Sequence, residues 1–177
     1  NPGTNGPLSI DYASSLDFGV QKITSKDQTY FAATQKYKTV GATDEVKEGP
    51  NYVQVTDNRG TEAGWSLKVK QEGQFKSTSG KELTGAAITF KNGNVVTASD
   101  SGKPTGPATI TLNSDGSQSD VMSAAKGNGA GTYLFDWGTD ATTAAKSIEL
   151  TVPGSTTKYA EKYATKLTWT LTDAPGN

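Results

Sequence analysis

Cysteine and histidine are both absent from this chain. Without cysteine there is no disulfide framework and no thiolate nucleophile. Without histidine there is no Ser-His-Asp triad and no Cys-His dyad, and the commonest transition-metal ligand is missing too. Arginine occurs once, at Arg59, and 17 basic residues face 18 acidic ones for a net charge of −1. No basic patch is available to neutralise phosphates, which argues against nucleic acid as a partner. No apolar run approaches the roughly 18 residues that a membrane-spanning helix requires, so no membrane span is expected.

What the chain does have is glycine, threonine and alternation. Its 177 residues suit one domain, and an apolar content of 33% suits sheets with one solvated face. The clearest stretch runs from Tyr163 to Thr172, YATKLTWTLT. Tyr163, Thr165, Leu167, Trp169 and Leu171 fall on one face and Ala164, Lys166, Thr168, Thr170 and Thr172 on the other, the period-2 pattern of a half-buried strand. Asp173-Ala174-Pro175 should end it, since Pro175 has no N–H to donate. A second Trp-x-Leu strand stands at Trp65-Ser66-Leu67-Lys68-Val69. The two tryptophans are 169 − 65 = 104 residues apart, too far for a tandem repeat, and their strands are expected to lie close together around one core.

Further alternating runs predict strands at Leu16–Val20, Tyr30–Ala32, Tyr52–Val55, Ala87–Phe90, Asn94–Thr97, Thr109–Leu112, Thr132–Trp137 and Lys146–Val152. Residues 34–50 read as a long loop. The turn residues Asp57-Asn58-Arg59-Gly60 suggest that Tyr52–Val55 and Trp65–Val69 form a hairpin, and Lys91-Asn92-Gly93 suggests a second. Asp120–Lys126 (DVMSAAK) is the one stretch read as helical, capped by Gly127. The fold class expected is all-β: a single-domain β-sandwich of short, mostly antiparallel strands with at most one or two short helices. Asn1–Pro7 reads as a linker and residues 8–177 as the domain.

The two Trp-x-Leu strands, one following DNRG and the other running into LTDAP, resemble the WxL domain of Gram-positive surface proteins. SIDYASSLDFG, GAGTYLFDWG and SIELTVPG fit the same pattern, so the likeness spans about Leu8 to Asn177. It implies a secreted, non-catalytic domain on the bacterial cell surface that attaches non-covalently to peptidoglycan and anchors or displays a surface protein. It also implies a second kind of partner, a peptidoglycan-binding surface protein. The alternative from another class is an adhesin that binds a sister surface protein or host matrix proteins.

The candidate binding residues are Trp65, Leu67, Trp169, Leu171, Tyr133, Trp137 and Arg59. Each tryptophan of the motifs is either a core anchor or a surface ring that stacks on sugar or partner. Tyr133, Phe135 and Trp137 form an aromatic row that either packs the core or offers a platform for carbohydrate. Arg59 either holds an acid such as Asp57 or Asp173 and fixes its turn, or recognises a peptidoglycan stem-peptide carboxylate with its planar fork. Asn113–Asp120 lacks the ligand order of a calcium loop, and no metal or cofactor is expected. A glycosidase would need two of Asp136, Asp140 and Glu149 in one cleft, and nothing in the sequence pairs them.

Overall fold

The computed structural model describes residues 3–41 and 45–176. In chain order the strands are β1 (Leu8–Ala13), β2 (Gln28–Phe31), β3 (Gln35–Lys38), β4 (Val46–Gly49), β5 (Asn51–Asp57) and β6 (Trp65–Gln71). They continue with β7 (Lys76–Ser77), β8 (Ala87–Phe90), β9 (Gly93–Val96), β10 (Ile110–Thr111), β11 (Gln118–Ala124) and β12 (Gly131–Trp137). After the short helix α1 (Ala141–Ala144) come β13 (Ile148–Val152), β14 (Tyr163–Ala164) and β15 (Leu167–Thr172). The regular structure is almost entirely β, as the alternation predicts, and no helix among the described residues is long and apolar enough to cross a membrane.

Three antiparallel sheets enclose the core. Their strand orders are β1-β5-β12-β9, β10-β8-β13-β2 and β11-β6-β15. β10 lies beside β11, so the second and third sheets sit edge to edge. Rings of β12 reach both: Trp137 lies 4.7 Å from Phe90 of β8 and 6.0 Å from Trp169 of β15, and Tyr133 lies 6.2 Å from Trp65 of β6. The first sheet therefore forms one layer and the other two form the opposite layer. Two-stranded pairs, β3 with β4 and β7 with β14, flank this body.

β5 and β6 show how the sequence produces it. In both, every odd residue is buried and every even one is half-exposed: Asn51, Val53, Val55 and Asp57 against Tyr52, Gln54 and Thr56, then Trp65, Leu67, Val69 and Gln71 against Ser66, Lys68 and Lys70. Two such strands turn their apolar faces toward each other across a core more readily than they pair along an edge. The expected hairpin between them does not form: β5 pairs with β1 and β12, and β6 with β11 and β15. The second expected hairpin fails in the same way. At Lys91-Asn92-Gly93 the chain turns with Asn92 at φ 57, but β8 continues into one sheet and β9 into another.

Three local expectations are corrected. The stretch 120–126 is not a helix; most of it belongs to β11. A bulge between Asp120 and Met122 buries both Val121 and Met122, which mimics a helical pattern, and the bonds to β6 decide the outcome. The helix lies at α1 instead, where the Thr143 amide donates to Asp140 Oδ1 at 2.7 Å. Leu16–Val20 forms no strand, although Leu16 and Phe18 still pack on the core and Phe18 meets Phe75 edge to face at 6.4 Å. Residues 35–38 and 46–49 pair as β3 and β4 where a loop was expected. Within the stretch read as linker, Thr4 N donates to Ile10 O at 2.8 Å and Pro7 O accepts from Asn58 N at 2.6 Å.

Candidate functional site

The two Trp-x-Leu strands are neighbours. β6 is the centre of its sheet and β15 lies along it antiparallel, with Leu171 opposite Leu67 and Trp169 opposite Val69. The expectation that strands 104 residues apart lie together holds. The tryptophans are not equivalent, however. Trp65, in the central strand, is wholly buried, whereas Trp169 and Leu171 on the edge strand are half-exposed.

Trp65 is held from three sides. Its Nε1 donates to Gly129 O at 2.9 Å, and its ring lies against Tyr133, whose hydroxyl donates to Ala130 O at 2.9 Å. Gly129 sits at φ 83, and a Cβ there would lie 2.7 Å from the indole nitrogen and 2.4 Å from Ala124 Cβ. Gly129 thus brings its backbone onto the ring, a close approach at positive φ that favours glycine. Leu67, Tyr133, Phe135 and Trp137 are buried as well. An aromatic platform at Tyr133 and Trp137 is therefore corrected to core packing: their strand faces the two-sheet layer, not solvent. Leu67 and Trp65 likewise cannot touch a ligand from where they sit.

Arg59 fixes the turn that precedes the first motif. Its Nε and Nη2 donate to Asp57 Oδ1 and Oδ2, each at 2.9 Å, and Nη2 also donates to Gly64 O at 2.7 Å. Asp57 is 1% exposed and Arg59 17%. The guanidinium holds the Asp57 carboxyl below the usual carboxylate range, and Asp57 in turn raises Arg59, with a smaller contribution from Asp173. Gly64, at φ 81, brings the turn against the end of the second motif: a Cβ there would lie 2.5 Å from Ala124 O and 2.8 Å from Pro175 Cβ. Ser66 Oγ donates to Ala174 O at 3.2 Å across the same junction. DNRG and DAP, far apart in sequence, thus share one end of the sheet.

The acids weighed for catalysis stand in separate settings. Asp140 caps α1, and Glu149 accepts from Lys91 Nζ at 2.7 Å on the β8–β13 sheet. Asp136 faces outward on β12 opposite Tyr52. Asp115 accepts from the Ser117 amide at 2.8 Å, an ordinary turn contact.

Asp136 carries a titration of its own. Burial pushes its carboxyl up from 3.8 to about 6. The folded chain therefore holds a proton between about pH 4 and 6 that the unfolded chain releases, and stability should fall as pH rises through that window. With the group half-exposed, the loss is roughly 1–2 kcal/mol. Urea midpoints across pH 4–7 check this, and Asp136→Asn should flatten the profile. A variant with the wild-type slope would place the titration elsewhere.

Neither the curated proteins nor the solved structures offer a match to this chain. A family model described as "WxL domain surface cell wall-binding" matches residues 1–175. With both Trp-x-Leu strands paired in one sheet and their flanking turns meeting at one end of it, the chain belongs to the WxL family of surface cell wall-binding domains.

Proposed function

We propose that this surface domain attaches non-covalently to peptidoglycan, without catalysis, and so anchors or displays the protein to which it is joined. The observation that carries the reading is the family match over residues 1–175. Burial supports different roles for the two motif strands. β6, with Trp65 and Leu67, is the buried support. β15 is an edge strand whose half-exposed Trp169 and Leu171, near the Arg59 turn, provide the contact surface. Arg59 already serves Asp57 with two of its donors, so it orders this surface more than it captures a free carboxylate.

Co-sedimentation with protein-free peptidoglycan tests the reading. The wild-type domain should pellet, and Trp169→Ala, shown folded by near-UV circular dichroism, should remain largely in solution. A folded Trp169→Ala that pellets like wild type removes β15 from the contact. Wild type left in solution removes direct attachment altogether.

A protein partner is the second reading, with its own observation. Val20, Ile23, Phe31, Tyr37, Val40 and Val46 are exposed along one segment of chain, and β2 within it is an edge strand. Exposed apolar side chains beside an open edge suit strand addition by another surface protein or a host matrix protein. Retention on protein-bearing surfaces alone would favour it.

A further inference from the structure

The sheet β1-β5-β12-β9 turns an outer face to solvent that carries none of the motif residues. Its rows follow from the register. Tyr12, Gln54, Leu134 and Val96 lie opposite one another in one row, and Tyr52, Asp136 and Asn94 in the next. Three strand spacings of about 4.8 Å make a row roughly 14 Å long. Tyr12 and Tyr52, both half-exposed, lean together with ring centroids 5.0 Å apart and planes inclined by 33°. Leu134 and Val96 continue the apolar strip into a shallow groove of about 580 Å³, bordered by the polar side chains of Thr97, Ser99 and Thr132.

The charged side chains of this face are two carboxylates, Asp11 and Asp136. None of the four strands contains a lysine or arginine, in a chain with 17 of them. Asp11 is satisfied by Ser9 Oγ, Gln54 Nε2 and Thr56 Oγ1. Asp136 is not: among the described residues neither of its carboxylate oxygens has a hydrogen-bond donor, and while Oδ1 is buried, Oδ2 is left to the face, opposite Tyr52. A face of this kind favours a ligand with flat apolar surfaces for the rings, many O–H and N–H donors for the carboxylates, and no negative charge. A polyanion would be repelled by both aspartates.

We infer that this outer face is a carbohydrate site for the neutral, N-acetylated glycan backbone of the wall, with the Tyr12–Tyr52 pair as its stacking surface and Asp136 as acceptor. The inference rests on wall attachment as the role of the domain, and it adds a second contact surface to the one on β15.

The test is a titration of the isotope-labelled domain with an N-acetylglucosamine tetrasaccharide, followed by amide chemical shifts. Shifts clustered at Tyr12, Tyr52, Gln54, Leu134 and Asp136 are expected. Tyr52→Ala should weaken binding roughly tenfold, about 1.4 kcal/mol, while Tyr52→Phe, which keeps the ring, stays near wild type. Polyglutamate should shift none of these amides. No shifts, shifts confined to β15, or equal responses to polyglutamate would overturn the assignment, and the wild-type map decides even if Tyr52→Ala does not fold. Wild type that pellets with peptidoglycan yet shows no such shifts removes the face and leaves wall attachment standing. Shifts at the face without pelleting remove attachment instead.

Discussion

Trp65→Ala is expected to cost about 3–5 kcal/mol, the range for deleting a large aromatic from a packed core. That is a large share of a domain stability of about 5–15 kcal/mol. At about 2–4 °C per kcal/mol for a chain of this size, the melting temperature should fall by roughly 6–20 °C. The substitution removes the ring under Tyr133 and leaves the Gly129 carbonyl without its donor. Because Gly129 sets backbone against the indole, the cavity cannot be filled there by a small side-chain movement. Trp169→Ala, on a half-exposed edge, should cost markedly less. Calorimetry on the two variants checks this, and equal melting temperatures would mean that burial does not separate the motifs as described. The contrast also fixes the interpretation of binding losses: a Trp65 variant that fails to pellet reports unfolding, whereas a folded Trp169 variant reports contact.

Removing the charge at Arg59 should be nearly as costly. Arg59→Ala leaves Asp57, 1% exposed, without its cation, and breaking such a pair costs about 3–5 kcal/mol when fully buried. Some water reaches Arg59, so roughly 2–4 kcal/mol is expected. Arg59→Lys should recover only part of this, since an ammonium cannot span both carboxylate oxygens and Gly64 O in one plane. The pH dependence should weaken. In wild type the depressed Asp57 carboxyl adds stability above its ordinary pKa, and that stability is lost as pH falls through the folded value. In Arg59→Ala the guanidinium's lowering effect on Asp57 is gone, leaving burial to raise its pKa against only the residue-59 backbone amide, so acid should narrow the gap between variant and wild type. Denaturant midpoints at pH 7 and pH 4 would show it, and an unchanged gap would argue that the pair contributes little.

Much of this was legible from alternation. β5, β6, β12 and β13 follow the period-2 pattern closely, and the pairing of β6 with β15 follows from two strands that each bury Leu and Trp or Val on one side. Partner choice was not legible, because turn chemistry at Asp57–Gly60 and Lys91–Gly93 specifies a reversal without saying whether the next strand stays in the same sheet. The bulge at Asp120–Met122 hid a strand behind two adjacent buried residues. At the site, Arg59 with Asp57 could be anticipated from the planar fork of a single arginine. The burial of Trp65 as against the half-exposure of Trp169 could not, since both strands have the same pattern and only the position in the sheet, centre or edge, distinguishes them. The Tyr12–Tyr52 face escaped notice because its members sit on outward positions of strands read for their inward residues.

The pairing of β6 with β15 also has a kinetic consequence. Leu67 finds Leu171 only after the intervening chain has been made, and closing so long a loop must precede any gain from the contact. Sheets built from such distant pairs fold slowly, in milliseconds to seconds. Until β15 arrives, β6 keeps an open edge and its sheet is incomplete, so the nascent chain stays extensible for as long as residues 167–172 are still to come. A polypeptide that must be threaded through a membrane before it folds gains from that delay.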